Sequence, residues 1–257
     1  VPTISAPDPA VRAAAERLLS ALATPPGALG RLGEAGVWWA ATQGAVPPPL
    51  VDPVRLVVFA GDHGVAAHGV SAFPSEITAA MVRTFVAGRA GVSALAAAHG
   101  VAVRVLDLGV DDDLDGLPAA VGAHKVRRGS GALHLEDALT HEETSRALEV
   151  GRTVAGEEIA AGARLLLSGD MGIGNTTPAA ALVAAGLGLP AEDVVGRGTG
   201  VDEAGMRRKT AVLRAALERV GDRAADPLET LTALGSADLA ATTGYLLAAA
   251  KAGVPVL

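Results

Sequence analysis

The stretch Leu165–Pro178, LLLSGDMGIGNTTP, decides the fold class of this chain. Its apolar start predicts a buried strand, its glycine-rich centre predicts a turn, and the Ala/Leu/Val run from about Pro178 predicts a helix. Glycines let the backbone approach a ligand, and a helix N-terminus offers unpaired N–H groups, so this order suits an anion. Thr176 or Thr177 is the expected helix cap. A turn that only connects a strand to a helix is the alternative.

Several common motifs are excluded. No Lys-Ser or Lys-Thr pair follows the glycines, so the turn is not a nucleoside-triphosphate P-loop. Thr177 stands where a dinucleotide fingerprint has its third glycine. The chain also contains no Gly-x-Ser-x-Gly elbow and no His-Glu-x-x-His pair, so the sequence does not support a hydrolase or a metalloprotease.

The composition bounds the class of protein. Hydrophobic residues make up 50% of the 257 residues and charged residues 19%, which predicts a folded chain with a sizeable core. Aromatic residues make up 2%, so Ala, Val and Leu must fill that core. The net charge of −7 argues against a nucleic-acid or anionic-membrane surface. The absence of Cys excludes disulfides, thiolate metal sites and Cys nucleophiles.

The ends of the chain carry further expectations. Val1-Pro2-Thr3 shows no signal-peptide pattern, which favours a cytoplasmic location. The uncharged stretch 172–191 is interrupted by Asn175, Pro178 and Pro190, so we do not interpret it as a membrane span. The last residues, 253–257, read as the opening of a further strand, and the domain is expected to be cut short there.

The first 50 residues predict a small helical domain. Helical spacing runs over 8–23, with Asp8 as the N-cap, and a second helix is expected over 29–43. A proline run at 47–49 predicts an extended linker. We therefore expect a helical domain at 1–50, incomplete without a C-terminal tail, and a second domain at 51–257.

The second domain alternates strands and helices. Strands are predicted at 55–60, 101–108 and 165–167. Helices are predicted at 77–98, 141–161 with Thr140 as N-cap, 206–220, and 236–251 with Ser236 as N-cap. Nearly continuous apolar strands between helices predict an α/β fold with a doubly wound, mainly parallel, Rossmann-like sheet.

A polar loop carrying Asp follows each predicted strand: Asp62, Asp111 and Asp170. Ligands bind at the carboxyl ends of the strands in such sheets, so we expect these loops to converge on one site. The acidic run 111–115 is compatible with a divalent cation, but a solvated loop is the favoured interpretation. Asp62 either orients His63 or binds a hydroxyl, or it only hydrogen-bonds its own turn.

The sequence around His63 does not show the regular spacing of metal ligands. The partner nearest in sequence to His63 is His68, in a loop that fixes no ligand spacing, so a metal role for His63 is not supported.

The second glycine-rich turn, Gly196–Asp202, precedes a helix bearing Arg207, Arg208 and Lys209, which together suit a phosphate clamp. At least one of these three cations is expected on a solvated helix face. Asp238 in the first turn of its helix is explained by the helix dipole alone.

Six segments, in this order along the chain, resemble the nicotinate-nucleotide–dimethylbenzimidazole phosphoribosyltransferase family of cobalamin lower-ligand synthesis. They are Pro25–Leu32, Ala60–Val65, Gly69–Glu76, Gly169–Thr177, Gly196–Asp202 and Leu234–Asp238. The stretch GDMGIGNTT is the most specific of them, and the segments span nearly the whole chain.

The resemblance implies a Rossmann-like sheet, a small helical domain and a homodimer. It implies phosphoribosyl transfer from nicotinate mononucleotide to 5,6-dimethylbenzimidazole, giving α-ribazole 5′-phosphate and nicotinate, without a cofactor or metal. The substrates are the implied partners, and neither nucleic acid nor membrane is among them. The pyridinium leaves neutral and needs no general acid, whereas the attacking imidazole must lose a proton to a carboxylate base. Carboxylates also favour the positive charge that develops on the ribose.

The resemblance also implies roles for individual residues. Asp170 would face the reacting centre. The phosphate and nucleotide would be held by Gly172, Gly174, Asn175, Thr176, Gly198, Lys209 and Asp238. The base pocket would be lined by Ser71, Phe73, Ser75 and Glu76.

Three departures from the family pattern bear on activity. Asp170 stands where relatives carry Glu, and Ser75 where many carry Gln. The catalytic Glu of the family lies in a C-terminal Gly-Glu-Gly segment, and the chain ends before it. Asp170, Glu76 and Asp62 are therefore the candidate bases.

Alternatives to an active transferase remain. One is a truncated, catalytically impaired form of the same family that still binds nucleotide or benzimidazole. Another is a different glycosyl-transfer or nucleotide-binding α/β protein on the same scaffold. Because the missing segment would otherwise cover apolar surface, we also expect reduced stability or altered association.

Overall fold

The computed structural model describes residues 3–257 and contains the predicted parallel sheet. The strands β1 (Val54–Gly61), β2 (Ala102–Gly109) and β3 (Leu165–Met171) pair in the order β2-β1-β3. Val256 forms a parallel bridge with Leu166, which confirms the predicted opening of a further strand. This bridge lies on the side of β3 that faces away from β1, so it extends the sheet.

Eleven α-helices are found within residues 3–257. They are α1 (Pro9–Ser20), α2 (Arg31–Gln43), α3 (Ile77–Val86), α4 (Gly91–Ala98), α5 (Ala119–Gly122), α6 (His141–Ala160), α7 (Thr176–Leu187), α8 (Ala191–Val194), α9 (Glu203–Val220), α10 (Pro227–Leu234) and α11 (Ala237–Lys251). The caps predicted at Asp8, Thr140 and Ser236 are confirmed, since each side chain accepts a backbone N–H of its helix. None of the described helices is long and apolar enough to cross a membrane.

Two boundary predictions are wrong. β3 continues through Met171, so Ser168–Met171 belong to the strand and not to the turn. The predicted single helix 77–98 is two helices, because Gly88 adopts a φ of +71° that ends the first of them.

The predicted threonine cap is also wrong. Asn175 occupies the cap position of α7 without a side-chain hydrogen bond to the helix. The Thr176 hydroxyl instead accepts from Lys209, and Thr177 is buried.

The sheet has an apolar layer on each face, as the doubly wound interpretation predicts. On one face Val57 and Phe59 of β1 pack with α6 and α11. On the other face Val58 and Ala60 pack with residues of α3, including Val82. Alternate residues of β1 therefore serve opposite layers, and the strand is buried on both sides.

Helices α6 and α11 cross with their backbones in contact. A Cβ atom on Gly151 would overlap the carbonyl oxygen of Ala241, and one on Gly244 would overlap that of Leu148. This approach fixes the position of α11, whose first turn carries Asp238 at the carboxyl ends of the strands.

Helices α1 and α2 form their own small cluster around Ala15, Val37 and Ala40. The indole N–H of Trp39 donates to the carbonyl oxygen of Pro49 at 2.8 Å and holds the following linker against α2. Leu50 in that linker is 86% exposed. The division into domains at residue 50 stays a prediction, as does the reduced stability.

We expect Gly151→Ala to destabilise the fold by about 1–3 kcal/mol or more, because the added methyl group would force α6 and α11 apart. Gly156→Ala is the matched control on the same helix, since a Cβ atom there meets nothing within 4 Å. The control should be neutral or stabilising by up to about 1 kcal/mol through helix propensity. Urea denaturation followed by circular dichroism measures both, and equal free energies of unfolding would contradict the crossing described here.

Candidate active site

Two groups of side chains occupy the carboxyl ends of the strands. We call His63, Asp170 and Asp238 the acidic cluster, and Lys209, Thr176 and the loop 196–198 the lysine pocket. The segment 170–176, which runs from the end of β3 through the turn to the start of α7, contributes to both groups.

The acidic cluster collects residues from three elements. His63 follows β1, Asp170 lies in β3, and Asp238 lies in the first turn of α11. One ligand atom from each lies within 4.8 Å of the other two. His63 Nε2 and Asp238 Oδ2 are 3.7 Å apart, and these two side chains are 2% and 0% exposed. Asp170 keeps part of its surface open to solvent.

Burial dominates the electrostatics of this cluster. It raises the pKa of Asp238 to about 6, and together with the neighbouring Asp238 carboxylate it raises the pKa of Asp170 to about 7. Burial lowers the pKa of His63. Within residues 3–257 neither carboxylate forms an ion pair with Lys or Arg. Asp170, at the solvent-exposed edge of the cluster, is therefore a proton acceptor with a pKa near neutral pH.

Glycine makes this arrangement possible. A Cβ atom on Gly172 would overlap both the Gly61 carbonyl oxygen and the His63 ring, and one on Gly61 would lie 2.8 Å from Asp238 Oδ1. The loops after β1 and β3 can therefore come into contact only because these two positions carry no side chain. Asn175 Nδ2 donates to Asp170 Oδ2 at 2.8 Å and orients that carboxylate.

Asp62 is buried but organises a loop. Its Oδ2 accepts the backbone N–H of Asp111 at 2.9 Å, which joins the loops after β1 and β2. This bond to another loop comes in addition to the interactions considered from the sequence, because Asp62 also interacts with the Thr78 hydroxyl and with His63. Burial raises the pKa of Asp62.

The predicted convergence is wrong for Asp111, whose exposed carboxylate lies 3.5 Å from Arg128 Nη1. Asp113 also pairs with Arg128, and Asp112 pairs with Arg83 at 3.0 Å. The interpretation of 111–115 as a solvated loop is confirmed. The carboxylates of Asp111, Asp112 and Asp113 are paired with arginines and do not join the site.

The lysine pocket presents an almost fully buried amino group. Lys209 is 1% exposed, and its Nζ donates to Thr176 Oγ1 at 2.9 Å and to the Gly196 carbonyl oxygen at 2.8 Å. Lys209 has no carboxylate partner among residues 3–257. A Cβ atom on Gly198 would lie 3.1 Å from Nζ, so the glycine loop passes directly over the cation. A cation, a hydroxyl and a helix N-terminus at one point suit a phosphate.

The two arginines that precede Lys209 in α9 are not buried as Lys209 is. Arg207 and Arg208 are exposed, which confirms that at least one of the three basic residues lies on a solvated face. Arg208 Nε donates to the carbonyl oxygen of Gly69 at 3.1 Å and ties α9 to the loop before α3.

The structure places Asp238 in the acidic cluster and not at Lys209, so we no longer expect it to contact a phosphate.

The predicted base pocket is the loop before α3. Ser71 Oγ lies 3.2 Å from Thr199 Oγ1, and the N–H of Ala72 donates to the same hydroxyl at 3.0 Å. This loop is therefore attached to the glycine loop above the lysine pocket. Phe73 is 52% exposed. The exposed Ser75 and Glu76 stay candidates for this pocket.

Sequence reasoning missed the acidic cluster as a unit. It considered His63 beside Asp62 and His68, and Asp238 through the helix dipole or as a nucleotide ligand. Adjacency of β1 and β3 could have joined His63 to Asp170. The contribution of Asp238 depends on how α11 crosses α6, which no local pattern encodes. Thr199, which links the two loops, was missed as well.

Comparison with known proteins identifies similar sequences. A phosphoribosyltransferase family model matches residues 4–257. The chain is 53% identical over 255 residues to a nicotinate-nucleotide–dimethylbenzimidazole phosphoribosyltransferase of Mycolicibacterium paratuberculosis, covering 99% of this chain and 72% of that protein. It is 52% identical over 254 residues to the enzyme of that name from Mycobacterium tuberculosis, covering 99% of this chain and 70% of that protein.

A solved structure shows the same fold. The crystal structure of CobT from Thermus thermophilus superposes with a TM-score of 0.87 at 48% identity, over 96% of this chain and 74% of that one.

We expect Lys209→Met to weaken binding of ribose 5-phosphate by about 10- to 100-fold, because a hydrogen bond to a charged group contributes about 1.5–3 kcal/mol. Arg207→Met removes an exposed cation next to it and should change the Kd little. Isothermal titration calorimetry compares the two variants. An equal loss in both would mean that general charge, and not the lysine pocket, attracts the phosphate.

Proposed function

The chain belongs to the nicotinate-nucleotide–dimethylbenzimidazole phosphoribosyltransferase family, and on that premise we propose that it transfers phosphoribose from nicotinate mononucleotide to 5,6-dimethylbenzimidazole. The products are nicotinate and α-ribazole 5′-phosphate. One observation carries the proposal: Asn175 bonds the Asp170 carboxylate and its neighbour Thr176 bonds the Lys209 amino group. A sugar phosphate held in the lysine pocket thus has its ring directed towards the acidic cluster.

The phosphate end is bound by charge and by hydrogen bonds. Lys209 Nζ and the hydroxyl of Thr176 donate to the phosphate oxygens, with the N–H groups at the start of α7 beside them. Gly174 and Gly198 let the backbone lie close to the phosphate. Burial makes the single positive charge effective, because little water screens it.

The transfer step exchanges two C–N bonds at C1′ of the ribose. The bond to the pyridinium nitrogen breaks, and its electron pair neutralises the departing nicotinate ring. An imidazole nitrogen of the benzimidazole attacks C1′ from the opposite face, which converts the β-nucleotide into an α-nucleotide. The other imidazole nitrogen then loses its proton to a carboxylate base.

We assign that base to Asp170 in this chain. It lies at the exposed edge of the acidic cluster, is oriented by Asn175, and ends the strand that leads into the turn of the phosphate site. The carboxylates of the cluster also stabilise positive charge on the ribose as the bond breaks. Glu76 lies on the base-pocket loop and is the next candidate, and Asp62, whose Oδ2 accepts the Asp111 N–H, stays a third candidate.

The acceptor is assigned to the loop that carries Ser71 and Phe73. Its attachment to Thr199 places it above the glycine loop of the lysine pocket, and the exposed ring of Phe73 offers an apolar face to a benzimidazole. Ser75 lies on the same loop. The homodimer stays a prediction from the resemblance, and the cytoplasmic location stays a prediction from the sequence.

The test incubates the 257-residue chain with both substrates and separates nicotinate from α-ribazole 5′-phosphate by chromatography. We expect both products in equal amounts. Asp170→Asn should lower kcat by about 100-fold or more, the usual contribution of a general base. Asp111→Asn, which changes an exposed carboxylate outside the site, should keep the activity of the parent chain.

Other outcomes discriminate between the alternatives. Binding of nicotinate mononucleotide without turnover would support the impaired form and remove Asp170 as the base. Turnover that survives in Asp170→Asn but not in Glu76→Gln would move the base to the loop before α3. Neither binding nor turnover in a folded sample would overturn the proposed function.

A further inference from the structure

We propose that the acidic cluster binds a divalent first-row metal ion through His63 Nε2 and the carboxylates of Asp170 and Asp238. Such an ion goes beyond the phosphoribosyl transfer proposed above, which uses no metal. The inference rests on the geometry, the burial and the unsatisfied polar atoms of these residues, and not on the transfer activity.

The spacing of the three ligand atoms suits a common ion. Two donors bound at about 2.0–2.2 Å to one metal lie roughly 3–4.4 Å apart, depending on the angle between them. The 3.7 Å between His63 Nε2 and Asp238 Oδ2 falls in that range, and all three ligand atoms lie within 4.8 Å of one another. Side-chain adjustments would therefore bring the three ligand atoms to bonding distance from one ion.

Buried atoms without partners belong to the side chains of the cluster, and His63 Nε2 is the ring nitrogen that faces Asp238. Both ring nitrogens of His63 and both carboxylate oxygens of Asp238 have no hydrogen-bond partner in the part of the chain described. The two residues are 3% and 0% exposed. Buried polar groups are nearly always satisfied, so these four atoms indicate an unassigned ligand.

The charge of that ligand follows from its neighbours. Asp170 and Asp238 lie against each other and form no ion pair with Lys or Arg among residues 3–257. Two adjacent carboxylates repel each other unless a proton or a metal cation lies between them. A divalent ion neutralises both, and the neutral imidazole of His63 completes the set of donors.

The backbone keeps the necessary space free. A side chain on Gly172 would overlap the His63 ring, and one on Gly61 would lie against the Asp238 carboxylate. The exposed edge of Asp170 gives an ion a route from solvent. The three ligands are therefore gathered in a site that is open at one side.

The donor set selects the class of metal. One imidazole nitrogen with two carboxylates suits Mn²⁺, Fe²⁺, Co²⁺ or Zn²⁺. Ca²⁺ takes 6–8 oxygen ligands, more than this cluster offers. Bound metal would compete with protons for Asp170, so the ion-bound and ion-free chains are different states of the site.

The experiment titrates the chelator-treated 257-residue chain with Mn²⁺ and follows the electron paramagnetic resonance signal of the free ion. No substrate is present, so the result does not depend on phosphoribosyl transfer. We expect saturable binding of one ion per chain. His63→Gln and Asp170→Asn should each raise the Kd by about tenfold or more, since even outer-shell changes weaken metal sites by 10–100-fold.

Asp111→Asn is the matched control, because it removes an exposed carboxylate from the acidic loop and should leave the Kd unchanged. Asp170→Asn changes a partly exposed residue and serves as the test if His63→Gln does not fold. Absence of saturable binding to the folded parent chain would overturn the proposal. So would a Kd that is equal in the parent, Asp170→Asn and Asp111→Asn chains.

Discussion

Contact between bare backbone at the ends of β1 and β3 is the constraint on which the site depends. Gly172 lies against the Gly61 carbonyl oxygen and the His63 ring so closely that no side chain fits there. Parallel pairing of the two strands brings these loops together, and glycine allows them to touch. Without that contact His63 and Asp170 would be separated by at least one side-chain layer.

A second backbone approach, at the crossing of α6 and α11, delivers the third member of the acidic cluster. Gly151 and Gly244 let the helices meet backbone to backbone, which sets the depth of α11 against the sheet. The Ser236 cap then fixes the first turn of that helix, where Asp238 is buried. The positions of the residues in the acidic cluster are thus determined at two places where backbone packs directly against backbone.

The sequence predicted the fold well because the relevant signals are local. Apolar runs marked β1, β2 and β3, and the caps at Asp8 and Thr140 marked helix starts that the structure confirms. The broken helix at Gly88 and the extension of β3 to Met171 depended on a single backbone angle and on pairing with β1, which a local pattern does not fix.

The site was predictable only in part, for the same reason. Lys209 and Thr176 were implied by motif resemblance, and their hydrogen bond supports that assignment. Asp111 follows a strand as Asp62 and Asp170 do, yet arginines hold its carboxylate at the surface. Which strand-end carboxylates face inward is decided by tertiary partners such as Arg128 and by the crossing of α11.

The arrangement of charge across the site matches the proposed substrate. The buried amino group of Lys209 lies at one end, and the two carboxylates of the acidic cluster lie at the other. Nicotinate mononucleotide carries the opposite order, with an anionic phosphate and a cationic pyridinium joined through ribose. The short segment from Asp170 at the end of β3 to Thr176 at the start of α7 sets the distance between the two ends. A ligand with only one of these charges would leave the other end of the site uncompensated, so the pattern favours a nucleotide over a simple sugar phosphate or a free heterocycle.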